Sequence, residues 1–296
     1  MSSRLSGCGT ALVTPLSSSG ELDEVALRAL VEWQVSEGIH MVIPCGSTGE
    51  AVTLSPPEQR RVVELVVAQV AGRVPVIAGA GSNDTRKAIE TSLAMKAAGA
   101  THLLHVTPMY NKPPQRGMVA HFRAIADACD LPIVIYNVPG RTAINLDAES
   151  CLELAEDSRF VGIKEASGSL VQISEIIRHR PEHFAVLSGD DALTLSVMAH
   201  GGDGVISVVS NVVPRLMAQW CRSLAAGDLA AARVLDAQIA PVIHAAFVES
   251  NPIPIKAMLA MLGRMTDTVR LPLVPLLDPH RQTMLDALVH AGALVR

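Results

Sequence analysis

Short apolar runs alternate with segments whose apolar residues recur every three to four positions, almost from the start of the chain. The runs at 9–16 (GTALVTPL), 41–45 (MVIPC), 74–80 (VPVIAGA), 102–107 (HLLHVT), 132–138 (PIVIYNV), 160–164 (FVGIK), 184–188 (FAVLS) and 204–209 (GVISVV) read as strands. A strand covered on both faces needs no polar alternation, which is how parallel strands look in sequence. Between them, helical spacing predicts helices at 23–37, 55–71, 84–98, 115–128, 147–156, 169–178, 191–199 and 213–225. In the first, Val25, Leu27, Leu30, Val31 and Val35 share a face and Asp23 is placed as N-cap. Ser55-Pro56-Pro57-Glu58 carries a cap, prolines in the first turn and an acid at the third position.

Strands alternating with helices imply a parallel sheet, and eight such units imply closure into a (β/α)8 barrel, an α/β fold. An open doubly wound sheet would place a glycine-rich phosphate turn after its first strand. Leu16-Ser17-Ser18-Ser19-Gly20 is no such turn, and Gly79-Ala80-Gly81 lacks a third glycine in register. Helical patterns continue at 228–247, 254–262 and 279–294. They predict a barrel over residues 1–225 and a C-terminal helical appendage over 226–296.

Composition narrows the chemistry. Of 296 residues, 49% are hydrophobic but only 3% aromatic, so the core must be aliphatic and the two tyrosines stand out. A net charge of -5 offers no basic surface for nucleic acid. The five cysteines are scattered without a CxxC pair, which argues against a disulfide framework or zinc cage and for a reducing compartment. The first six residues lack an apolar signal core, and no apolar run reaches membrane-spanning length. The expectation is a cytoplasmic protein with no membrane or nucleic-acid partner and no cofactor.

In such a barrel the active site lies where strands end and the following loops begin. That rim collects Ser47, Thr48 and Glu50 after strand two, and Tyr110, Asn111 and Lys112 after strand four. Strand five adds Tyr136, Asn137 and Arg141, strand six Lys164 and Glu165, strand seven Ser188, Gly189 and Asp190, and strand eight Ser207, Ser210 and Asn211. Lys164 sits at the end of a buried strand, where an ammonium is costly and an amine nucleophile is favoured; on its own it also fits a lysine that reaches the surface. With its neighbours it suits Schiff-base formation with a ketone. Tyr136, one strand away, would shuttle protons with Thr48 as its link, and Arg141 would offer a two-pronged carboxylate site. No clustered His and acidic ligands suggest a metal, since His102 and His105 should face opposite sides of their strand. Gly46-Ser47-Thr48-Gly49 has the wrong spacing for a hydrolase elbow. Lys256 also has apolar neighbours, but it follows the barrel and is expected on a helix face.

These motifs resemble the dihydrodipicolinate synthase (4-hydroxy-tetrahydrodipicolinate synthase) family, within the pyruvate-dependent, class I aldolase-like superfamily of N-acetylneuraminate lyase. They are Gly46-Ser47-Thr48-Gly49-Glu50, Tyr110-Asn111-Lys112-Pro113, Tyr136-Asn137-Val138-Pro139-Gly140-Arg141-Thr142, Gly162-Ile163-Lys164-Glu165-Ala166-Ser167-Gly168 and Ser188-Gly189-Asp190-Asp191. The resemblance implies a Schiff base of pyruvate on Lys164, with Tyr136 as proton relay. Thr48 would connect Tyr136 to Tyr110, which would reach across from a neighbouring subunit. Ser47 and Thr48 would hold the pyruvate carboxylate and Arg141 that of L-aspartate 4-semialdehyde. Gly189 and Ile206 would supply backbone groups, Asn251 would belong to the dimer-side appendage, and the assembly would be a homotetramer, a dimer of dimers. The same lysine chemistry would also fit a 2-keto-3-deoxy sugar acid aldolase, and loss of catalysis would leave a 2-oxo acid binding barrel. At the position of feedback control by L-lysine the chain departs from the pattern. Met109 stands where an aromatic is expected, Lys87 where an acid is expected, and Pro56 where a histidine is expected. Weak or no inhibition by L-lysine follows.

Overall fold

The structure, a computed structural model, describes residues 4–294. Residues 1–3, part of the segment read for a signal, and the last two of the expected appendage lie outside the described residues. Eight strands form one sheet: β1 (Gly7–Ala11), β2 (Met41–Ile43), β3 (Ile77–Gly79), β4 (His102–Val106), β5 (Ile133–Asn137), β6 (Phe160–Glu165), β7 (Ala185–Ser188) and β8 (Gly204–Ser207). Their order is β2-β1-β8-β7-β6-β5-β4-β3, each pair parallel. The ends meet through a parallel bridge between Val42 and Val76, with Val42 N–H donating to the Pro75 carbonyl at 3.0 Å. This is the expected (β/α)8 barrel. Gly79 makes the seam possible: a Cβ there would lie 2.0 Å from the Cys45 carbonyl oxygen.

The helices wrap the outside: α1 (Glu24–Ser36), α2 (Pro56–Val70), α3 (Thr85–Ala97), α4 (Gln115–Ala128), α5 (Pro139–Thr142), α6 (Ala148–Ala155), α7 (Leu170–His179), α8 (Thr194–Ala199) and α9 (Pro214–Ala225). Their starts follow from capping chemistry. Asp23, Asp84, Asp147 and Ser169 each accept a bond from a backbone N–H of the first turn, and Ser55 with Glu58 forms a capping box. After the barrel come α10 (Leu229–Ala246), α11 (Ile253–Met261) and α12 (Arg281–His290). Helix α10 packs against α9 and α12.

Side-chain alternation divides the core in two. Leu103, Ile133, Ile135 and Ile163 face the helices and join the large outer core. Leu104, Val134, Tyr136, Leu187 and Ile206 face inward and fill the barrel.

Several ends differ from expectation for identifiable reasons. Strand β1 stops at Ala11 because the N–H of Val13 turns to the Asn211 side chain. Strand β8 stops at Ser207 because the Asp191 carboxylate accepts the N–H groups of Val208 and Val209, at 2.9 and 3.2 Å, and folds 209–211 into a 3-10 turn. Residues 139–142, expected as loop, form the short α5, started by Pro139 in the first turn. The last expected helix is a 3-10 turn, Asp278–His280, followed by α12, and it ends before Gly292, which takes a left-handed φ of 70°.

Candidate active site

The register of β5 on β6 pairs Tyr136 directly with Lys164. Both belong to the inward-facing phase of their strands, so they stand side by side in the barrel mouth. The Lys164 Nζ lies 4.2 Å from the centre of the Tyr136 ring, over its face. Lys164 is only 5% exposed, and among the described residues it forms no ion pair. Its neighbour Glu165 points the other way. The Glu165 carboxylate accepts from Ser167 N–H at 2.7 Å and from the Asn137 and Gln172 side chains. Burial pushes its pKa up, against the pull of those donors. Glu165 thus fastens the end of β6 from behind while Lys164 faces the cavity.

That cavity encloses about 480 Å³ at the C-terminal ends of the strands. Ser47, Thr48, Tyr136, Arg141, Lys164 and Gly189 all line it. Gly189 is there for space: a Cβ would come within 2.7 Å of Ala166 Cβ and 3.1 Å of Lys164 Cγ. Arg141, on α5, stands at the rim and donates one bond, at 3.4 Å, to the Asn251 carbonyl. Among the described residues it has no carboxylate partner, which leaves most of its guanidinium for a ligand.

Two residues of the expected site do not line the cavity of this chain. Ile206 is fully buried in the barrel interior. Tyr110 is 89% exposed, with a left-handed φ of 73°, and does not line the cavity either. Its loop is braced on the preceding βα loop, where Asn83 donates to Met109 O at 3.2 Å and Asn111 donates to Asn83 O at 3.0 Å.

Other residues join the cavity. Asn251, which the resemblance assigned only to the dimer-side appendage, lines it, and its Nδ2 donates to Thr48 Oγ1 at 2.8 Å. His244 of α10 and Phe247 just after it also line the cavity. Lys256 lies on a helix, as expected, within α11, but its face is buried: it is 0% exposed, and its Nζ contacts Glu50 Oε1 at 2.6 Å and the Thr14 carbonyl at 3.0 Å. Its apolar neighbours signalled burial, and the partner carboxylate lies 206 positions away in sequence. Burial lowers the pKa of this ammonium, and Glu50 opposes the shift. Among the described residues, no group of three or more His, Cys, Asp or Glu side chains is placed to hold a metal ion.

The rim of this (β/α)8 barrel gathers a lysine, a tyrosine and a threonine around one cavity. The sequence model of the dihydrodipicolinate synthetase family matches residues 4–291. The 4-hydroxy-tetrahydrodipicolinate synthase of Nitratidesulfovibrio vulgaris is 48% identical over 98% of this chain and 100% of its own length. Among solved structures, the dihydrodipicolinate synthase of Thermotoga maritima superimposes with a TM-score of 0.96 at 40% identity, covering 99% of this chain and 100% of that one. The chloride-inhibited enzyme of Acinetobacter baumannii, solved with pyruvate, gives 0.96 at 41% identity over 98% and 99%. The chain belongs to the dihydrodipicolinate synthetase family, and its enzymatic class is that of the 4-hydroxy-tetrahydrodipicolinate synthases.

Proposed function

We propose that this enzyme condenses pyruvate with L-aspartate 4-semialdehyde to 4-hydroxy-tetrahydrodipicolinate, a step toward diaminopimelate and lysine, in the cytoplasm. The observation that carries the reading is the unpaired Lys164 amine beside the Tyr136 ring in the cavity of a chain from this family. The Lys164 amine attacks the pyruvate keto carbon, and water leaves to form an imine. Loss of a methyl proton gives an enamine, whose carbon bonds to the aldehyde carbon. The acceptor's own amine then displaces Lys164 from the imine, closing the ring and freeing the enzyme. Tyr136 moves protons through the carbinolamine, with Thr48 as its link.

The oxyanion ends of the substrates have separate holders. Ser47 and Thr48 take the pyruvate carboxylate, and the Arg141 guanidinium, which has no carboxylate partner among the described residues, takes the acceptor's. Tyr110, extended into solvent, suits a relay role in a neighbouring subunit of a homotetramer. Barrel and C-terminal helices act as the two parts 1–225 and 226–296 of one catalytic unit. L-lysine inhibits weakly or not at all, because Met109 offers no aromatic wall and Lys87 presents a like charge. Strong inhibition at sub-millimolar lysine would contradict that part.

Assaying the purified protein with pyruvate and a panel of aldehydes tests the substrate assignment. Turnover should be highest with L-aspartate 4-semialdehyde. A preference for the aldehyde of a sugar acid would instead assign the same lysine chemistry to a 2-keto-3-deoxy sugar acid aldolase.

A further inference from the structure

We propose that the buried Lys256–Glu50 ion pair is a positioning device for the pyruvate half of the active site, a role that rests on Ser47 and Thr48 being the loop that holds pyruvate. The pair ties α11 to the loop after β2. Lys256 Nζ contacts Glu50 Oε1 at 2.6 Å, and both side chains are essentially sealed from solvent. The same ammonium donates to Thr14 O at 3.0 Å, and Thr14 Oγ1 donates to Gly49 O at 2.7 Å. The other Glu50 oxygen accepts the backbone N–H of Arg270 at 3.1 Å. Arg270 in turn holds Glu58, in the first turn of α2, at 2.5 Å.

The loop between these anchors is under backbone strain. Cys45 and Glu50, neither of them glycine, take left-handed φ values of 57° and 54° on either side of 46–49. Such a conformation persists only where surrounding bonds over-determine it. Inside the loop, Gly49 N–H donates to Gly46 O and Glu50 N–H donates to Ser47 O, both at 3.1 Å, so Glu50 closes the turn that presents Ser47 and Thr48. Helix α11 and the residue before its cap grip this turn twice, at the Thr48 hydroxyl through Asn251 and at Glu50 through Lys256.

Stability alone is a weak reason for a buried ion pair, since apolar residues of like volume often serve as well. A charged pair with a partner on each carboxylate oxygen fixes the carboxylate, and hence the backbone two residues from Thr48, in one place. Misplacing a reacting or binding group by a fraction of an ångström is costly in rate. Lys256 and Glu50 touch no substrate in this scheme and act through Ser47 and Thr48.

The test is the pyruvate-concentration dependence of adduct trapped on Lys164 by borohydride, read by intact mass, in wild type, Glu50→Gln and Lys256→Gln. It is paired with KM for each substrate. Both variants should need at least fivefold more pyruvate for half-maximal trapping, with a matching rise in pyruvate KM, while KM for the aldehyde stays within twofold. Folded variants with a lower melting temperature but wild-type pyruvate dependence would overturn the proposal. So that the test does not depend on variant folding, hydrogen exchange on the wild type is measured as well. The backbone amides of Gly49, Glu50 and Arg270 should exchange more slowly when pyruvate is added, and unchanged exchange at saturating pyruvate would overturn the proposal. Absence of any adduct in the wild type would instead overturn the functional reading on which it rests.

Discussion

Lys164 and Lys256 are both buried amines, and what each one meets separates them. Lys256 meets a carboxylate at 2.6 Å, whereas Lys164 meets an aromatic face and an open cavity. The place of Lys164 in the cavity was legible in sequence because period-two alternation and a strand end fix where residue 164 points. The paired lysine was not, because its partner Glu50 comes into reach only when the chain closes on itself. Asn251 was singled out by the resemblance, but its contact with the Thr48 hydroxyl, 203 positions away, was obscured for the same reason. Two substitutions test the cavity residue by residue. Arg141→Ala should leave pyruvate trapping on Lys164 intact and reduce turnover with L-aspartate 4-semialdehyde by about 10- to 100-fold, the worth of a hydrogen-bonded charge. Steady-state kinetics beside the trapping assay check this, and unimpaired turnover would remove Arg141 from the acceptor site. Gly189→Ala should cost about 1–3 kcal/mol of stability through overpacking against Ala166 and displace Lys164 Cγ. Urea unfolding and trapping measure the two effects, and wild-type trapping would show that the lysine tolerates the added methyl.

At the scale of elements, capping residues and apolar periodicity made most helices and strands readable, since these signals are local. Ends set by distant side chains were not readable, as where Asp191 stops β8. Strand β4 carries a pH-sensitive contact of this long-range kind. His105 is fully buried, with Nε2 3.1 Å from Ser92 Oγ of α3 and, among the described residues, no hydrogen-bond partner at Nδ1. Burial, and then the nearby His121, lower its pKa from 6.5 to about 3. The folded state therefore binds this proton less readily than the unfolded chain. The stability His105 contributes is complete above about pH 6.5 and is lost as pH falls toward 3. At pH 5 the loss should be about 2 kcal/mol. His40, His102 and His121 are lowered in the same direction, so they add to the slope. Urea unfolding at several pH values between 5 and 7.5 should show a shallower decline for His105→Gln than for wild type. Parallel declines would mean that His105 already takes up its proton in the folded state.

For the whole molecule, an alternation of eight strands and eight helices was enough to reach the barrel, because parallel strands with covered faces have few other ways to close. How the last three helices serve the site was beyond local pattern. Helix α10 supplies His244 to the cavity, the turn between α10 and α11 supplies Phe247 and Asn251, and α11 supplies Lys256 to Glu50. Deleting residues 226–296 would leave Glu50 buried without its ammonium and α9 without the helix packed on it. The shortened chain should accumulate as insoluble or non-cooperatively unfolding protein, and a cooperative melt from soluble material would show that the barrel stands alone.

The central claim is that Lys164 carries pyruvate as a Schiff base. Wild-type protein is incubated with pyruvate, reduced with borohydride, digested, and its peptides mapped by mass spectrometry. A reduced pyruvate adduct on Lys164, absent without pyruvate and absent in Lys164→Ala, is the expected result. An unmodified Lys164 in protein that still turns over pyruvate, or an adduct on another lysine, would contradict it.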